Sequence, residues 1–143
     1  MIRFFVPGIP VQQGSKRHVG NGIMIEDAKA NLMPWRDSIT YAAREARGPD
    51  SSGYEQCAVA VNLVFWFPRP KSHYRANGGL KETAPGMKAS RPDIDKLSRA
   101  VLDAITASGV WRDDAQVAEL HTTKRYAYVG EDPGLAVAIR GLA

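Results

Sequence analysis

A chain of 143 residues has the size of one domain with one core, so residues 1–143 read as a single domain. Its 44% hydrophobic and 24% charged residues are ordinary globular values, no run approaches the ~18 apolar residues of a membrane span, and the lone Cys57 excludes a disulfide framework or a cysteine-rich zinc site. Pro7, Gly8 and Pro10 interrupt any secretory apolar run, which points to the cytoplasm, and a net charge of +4 leans toward polyanionic partners.

In chain order, Ile2 to Val6 is a short β-branched and aromatic run, the pattern of a first strand. Residues 12–17 then read as a loop, and Gly20-Asn21-Gly22 as a hairpin turn before Ile23, Met24 and Ile25. Leu32, Trp35, Ile39, Ala42, Ala43 and Ala46 recur at three and four residues, so a helix is predicted from about Asn31 to Arg47, stopped by Gly48-Pro49. From Cys57 to Phe67, Val59, Val61, Leu63, Phe65 and Phe67 alternate with Ala58, Ala60, Asn62, Val64 and Trp66. Both faces are mainly apolar, which predicts a central strand covered on each side, with Trp35 and Trp66 as core residues. Pro68 and Pro70 end it, and a long loop rich in Gly, Lys and Arg runs on to Pro92.

A second helix is predicted from about Asp93 to Thr106, because Ile94, Leu97, Val101, Ala104 and Ile105 share one stripe, with Gly109 as its stop. Gln116 to Tyr126 and Leu135 to Arg140 alternate as strands, with Gly130, Asp132, Pro133 and Gly134 as the turn between them. The sum is an α+β domain: a mixed sheet of four to five strands with two helices packed against it.

Charge placement says more than the total. Met1 to Ile25 carries only Arg3, Lys16 and Arg17, and Arg69 to Arg99 holds eight basic residues against three acidic ones. Solvated loops explain such runs as readily as phosphate contacts do. Within the second run, Asp93 and Asp95 stand at a helix start, and 19 residues after Asp95 comes Asp114, beside Asp113 at a strand start. Helix, glycine turn and returning strand are expected to bring Asp93, Asp95 and Asp114 together. Three clustered carboxylates repel one another unless a cation sits between them. Hard oxygen donors without a His or Cys cluster suit Mg²⁺ or Mn²⁺ rather than zinc, and a carboxylate-held metal beside Lys and Arg is a phosphodiesterase arrangement. Taken singly, Asp93 serves equally as an N-cap, Asp113-Asp114 as a turn pair, and Asp95, Arg99 and Asp103 as a solvated ion-pair ladder. Lys124, Arg125 and Tyr126 lie about 33 Å along an extended strand from Asp114, which assigns them to distant DNA rather than to a metal.

The stretch from Arg91 to Ala104, followed by Trp111-Arg112-Asp113-Asp114-Ala115-Gln116-Val117, resembles the core of RusA-type Holliday junction resolvases, a family common in phages and prophages. Pro7-Gly8-Ile9-Pro10, Gly14-Ser15-Lys16-Arg17, Trp35-Arg36 and Phe67-Pro68-Arg69-Pro70-Lys71 are similar to family members as well. The resemblance implies a RusA-like fold and a two-fold homodimer that cuts four-way DNA junctions with Mg²⁺, or with Mn²⁺. It maps the essential aspartates to Asp93, Asp95 and Asp114. The family's catalytic lysine falls on Arg99, which cannot give up a proton and so implies phosphate contact, and Lys96 stands where it could take over the lysine's part. Lys16, Arg17, Arg69, Lys71, Arg75, Lys88, Arg91 and Lys124 are the candidate DNA contacts, with Lys81 in the same loop. His18 and His73 are weaker phosphate candidates, and Val11 or Val19 candidate wedges for a junction centre. The competing readings are a nuclease of broader branched or single-stranded specificity, and a junction-binding protein without catalysis. A pure binder gains nothing from carboxylates that face phosphate.

Overall fold

The computed structural model describes residues 1–14, 16–18, 24–26, 29–49, 53–54 and 56–143. The predicted turn over Gly20-Asn21-Gly22, and Val19, lie outside the described residues. So do the side chains of Lys16, Arg17 and His18. Among the described residues, six strands and two α-helices follow in order: β1 (Ile2–Pro7), β2 (Lys16–His18), β3 (Met24–Glu26), α1 (Lys29–Arg47), β4 (Val59–Phe67), α2 (Ile94–Ser108), β5 (Val117–Tyr126) and β6 (Gly134–Gly141). The main sheet runs β1-β6-β4-β5. β1 pairs β6 and β6 pairs β4 antiparallel, while β4 and β5 run parallel. The α+β expectation of a mixed sheet with two helices is therefore met.

β5 and β6, adjacent in sequence, are not neighbours, because the returning chain crosses β4 to lie between it and β1. The entrance to β6 is a close approach: a Cβ at Gly134 would strike the Phe5 ring and come within 2.6 Å of the Val6 carbonyl. Only glycine allows β1 and β6 to pair at that point. Lys16–His18, expected in a loop, pairs antiparallel with Met24–Glu26 as a separate two-stranded ribbon.

Both helices cover the same sheet face. Trp35, Ile39 and Ala43 of α1 and Leu97, Val101, Ala104 and Ile105 of α2 pack in one cluster with Val59, Val61, Leu63, Phe65 and Phe67 of β4 and with Leu135, Val137 and Ile139 of β6. The expectation that β4 is covered on both faces is corrected. Its other face, Asn62, Val64 and Trp66, is flanked by Phe5, exposed at 47%, and by Ala136 and Ala138, and among the described residues no element lies over it. Trp66 is accordingly half-buried beside Phe5 rather than in the core. Val11 is partly buried against the core.

Candidate active site

α2 and β5 form a helix–turn–strand unit in which β5 returns antiparallel to the helix, so Ser98 of α2 bonds Thr122 of β5 at 3.3 Å. The two ends of this unit carry the candidate residues.

At the first end, Asp93 occupies the N-cap position, φ −75° and ψ 135°, but its carboxylate makes no capping bond to its own helix. It lies 3.6 Å from Lys96 Nζ. The Asp93 N–H donates to Gln12 Oε1 at 2.8 Å, and Gln13 N–H donates to the Lys96 carbonyl at 3.0 Å, so the loop after β1 seats the helix start. Lys124 Nζ donates to the Ser90 and Pro92 carbonyls, both at 2.7 Å. Burial and then the nearby Lys88 charge lower the Lys124 pKa from its ordinary value, with Asp93 opposing. Asp95, in the first turn, is exposed, where its charge favours the positive end of the helix dipole.

At the second end, Gly109 takes the left-handed conformation, φ +81°, that closes a helix. Buried Trp111 donates its Nε1 to Thr106 Oγ1 at 2.7 Å, folding the turn back on α2. Asp113 caps the next short 3-10 turn by accepting from Ala115 N–H at 2.9 Å. Gln116 Oε1 accepts from the Arg112 and Asp113 N–H groups, and its Nε2 donates to the Tyr54 and Cys57 carbonyls at 2.7 and 2.9 Å. The capping work thus falls to Asp113 and Gln116. The carboxyl of Asp114 is raised above its ordinary value by partial burial, then by its contact with Asp113 and the negative charge of Asp113 and Asp103.

The expected convergence of Asp93, Asp95 and Asp114 does not occur within the chain. In a helix–turn–strand unit the start of the strand meets the end of the helix, and α2, at 15 residues, separates its two ends by about 22 Å. Asp114 consequently lies within electrostatic reach of Asp103. Among the described residues no three His, Cys, Asp or Glu side chains stand close enough to hold a metal ion. The Asp95–Arg99–Asp103 ladder is also absent: Arg99 is exposed, with no ion pair among the described residues. Lys124, assigned from extended distance to remote DNA, braces the Asp93 end instead, because the far end of β5 is the end that meets the start of α2.

The basic loop divides into structural and exposed parts. Arg69 donates to the Ala127 and Pro85 carbonyls at 3.1 and 2.8 Å and lies over the Tyr126 ring. His73 meets the same ring edge-on at 4.7 Å, and Lys88 sits 5.2 Å from its centroid and 5.3 Å from that of Phe67. These side chains staple the loop to the ends of β4 and β5. Lys71, Arg75, Lys81 and Arg91 remain exposed, Arg75 in a 3.8 Å pair with Glu82.

Gln12, Gln13 and Asp103 were not singled out for the site by sequence reasoning. The fold expectation itself contained the signal for Asp103, since a returning strand must start beside the helix end. Nothing local marks Gln12, whose partner is 81 residues away.

A protein-family model described as endodeoxyribonuclease RusA matches residues 7–140, nearly the whole chain. No curated protein matches it.

Proposed function

The chain belongs to the RusA endodeoxyribonuclease family, whose members resolve Holliday junctions, and from that premise we propose that it is a divalent-metal-dependent, structure-selective endonuclease that cuts four-way junctions in pairs, as a homodimer, in recombination or repair of phage or prophage DNA. One observation carries the reading. The fold gives its capping work to Asp113 and Gln116 and leaves Asp93, Asp95 and Asp114 without any. Carboxylates that cap no helix, on a surface that must meet phosphate, are costly unless a cation joins them.

The donor chemistry fits Mg²⁺ or Mn²⁺: hard oxygens, with neither His nor Cys among them. The ion, when bound, would activate water and stabilise the leaving oxygen. The separation along α2 makes the set complete only if Asp114 of a second copy joins Asp93 and Asp95. A two-fold pair then holds two equal sites, as cutting two opposing strands requires. The uncovered sheet face with Phe5, Val64 and Trp66 offers apolar area for such a pair. Arg99 and Lys96 would contact the phosphates flanking the cut, and Lys71, Arg75 and Arg91 the arms.

Mixing subunits tests this reading. Asp95→Asn and Asp114→Asn should each abolish cleavage of a synthetic junction in Mg²⁺. A mixed dimer of the two rebuilds one intact composite site and should nick one strand. A mixture as inactive as its parents would place the aspartates in separate roles, and equal cutting of linear duplex or single strands would favour the broader nuclease.

A further inference from the structure

The Asp93 carboxylate does no capping for its own helix, yet two stretches distant in sequence and one lysine of its own helix converge on it. Gln12, from the loop after β1, takes its N–H. Lys96, one turn along α2, stands 3.6 Å from its carboxylate. Lys124 of β5 takes the carbonyl immediately before it, that of Pro92, and the Ser90 carbonyl two residues earlier, at 2.7 Å each. The neighbouring backbone strengthens this brace. Lys88 N–H donates to the Lys124 carbonyl at 3.2 Å, Tyr126 N–H donates to the Gly86 carbonyl at 2.9 Å, and Met87 bridges Arg125, so residues 86–88 run along the outer edge of β5. From there the chain has only Ala89 to Pro92 in which to reach α2. The Lys124 ammonium spans that stretch.

Placing an ammonium against two neutral carbonyls is an expensive way to stabilise a fold, since a half-buried cation gives up hydration without a carboxylate bonded directly to it. What it achieves is geometric. Two bonds from one group fix the Ser90–Arg91 and Pro92–Asp93 peptides, and with them the direction from which the chain enters α2. We propose that Lys124 is a positioning residue for Asp93: its two carbonyl bonds, one of them to the residue just before Asp93, set where the Asp93 carboxylate stands at the mouth of α2. The inference rests on the role given to Asp93 above.

The test compares Lys124→Met, Lys124→Arg, Gln12→Ala and the Met/Ala double variant with the unaltered protein in three measurements. These are single-turnover cleavage of a four-way junction at saturating protein with Mg²⁺, junction affinity without metal, and thermal midpoint. Lys124→Met should slow cleavage by about tenfold or more while metal-free affinity stays within about threefold, because the aspartate is misplaced and no phosphate contact is lost. Lys124→Arg, which keeps a two-pronged cationic donor, should recover part of the rate. Gln12→Ala, which loosens Asp93 from the other side, should slow cleavage too, and the double variant should lose less than the product of the two single losses.

Full-speed cleavage by Lys124→Met overturns the proposal, as does affinity that falls in step with rate, which marks a direct phosphate contact. An arginine variant no faster than the methionine variant overturns it as well. Should Lys124→Met not fold, Gln12→Ala and Lys124→Arg decide by the same criteria. If the unaltered protein cuts no branched DNA, the functional reading falls and takes this one with it. If it cuts and Lys124→Met cuts equally fast, only the positioning role falls.

Discussion

The two ends of α2 are built by opposite means. Around Asp114 the ties are mostly short in sequence: Ala115 to Asp113, Gln116 to Arg112 and Asp113, Trp111 to Thr106. Around Asp93 they are long: Gln12 lies 81 residues away and Lys124 bonds carbonyls 32 and 34 residues back. The first end is mainly a local capping device, most of whose bonds can form as soon as α2 and its turn do. The second exists only once the loop after β1, the basic loop and β5 have all assembled, so it depends on the whole sheet. Two aspartates of the family motif sit at the assembled end and one at the local end.

The strongest way to break the comparison is to remove a carboxylate from each end. Asp95→Asn and Asp114→Asn should both lower single-turnover cleavage in Mg²⁺ by orders of magnitude, since on the proposed reading each deletes a hard anionic ligand. Metal-free junction affinity, read by gel shift, should stay level or tighten, because a charge that repels phosphate is gone. Full activity in either variant would leave the two ends chemically unequal and end the shared-ion reading.

Stability separates the ends next. Gln116→Ala removes four hydrogen bonds at the local end, two of them to the Tyr54 and Cys57 carbonyls of the segment leading into β4, and should cost about 2–3 kcal/mol in denaturant unfolding. Asp113→Ala, losing only the cap, should cost about 1 kcal/mol. Gln12→Ala should cost about 1 kcal/mol or less, since its one bond serves the geometry of Asp93 more than the core.

The same contrast explains what the sequence revealed. Period and punctuation placed β1, α1, β4, α2, β5 and β6 within a few residues, because Gly109, Gly48-Pro49 and the alternation Val59, Val61, Leu63, Phe65 are local signals. The Asp-x-Asp and Asp-Asp pairs were legible for the same reason. Their relative placement was not. A linear spacing of 19 residues between Asp95 and Asp114 says nothing of direction until the strand is known to start where the helix ends. Lys124 failed similarly: its distance from Asp114 along the strand was sound, and the inference drawn from it was not, since that distance carries it toward Asp93. Trp66 and the uncovered face of β4 escaped because apolar alternation on both faces does not tell whether the second face is covered by the chain itself.

Salt dependence probes a third contrast, between stapled and exposed bases. Junction affinity should fall steeply as salt rises, and Lys71→Ala or Lys81→Ala should each reduce the slope of log affinity against log salt by about 1. Arg69→Ala should instead show up chiefly in stability, because its guanidinium already serves Ala127, Pro85 and Tyr126. An equal drop in slope for Arg69→Ala would place it on the DNA.

The smallest expected effect is also the most specific to the local end. In the fold the Asp114 carboxyl is raised above its ordinary value of 3.8, by partial burial first and then by Asp113 and Asp103. The folded state therefore holds that proton more tightly than the unfolded chain does, and stability falls as pH rises through the interval between the unfolded and folded values. Above the interval the ionised carboxylate is a net burden in the absence of metal, so metal-free Asp114→Asn should melt slightly higher than the unaltered protein at about pH 7 and no higher at about pH 3, where both states are protonated. Asp103→Asn should reproduce part of this gain, since it removes one of the two charges that oppose ionisation. Mg²⁺ should erase the advantage of both substitutions and stabilise the unaltered protein by binding the carboxylates they lack or weaken. Thermal melts across pH, with and without Mg²⁺, read all three effects, and a metal-free Asp114→Asn that melts lower at neutral pH would show that the carboxylate is bonded into the fold after all.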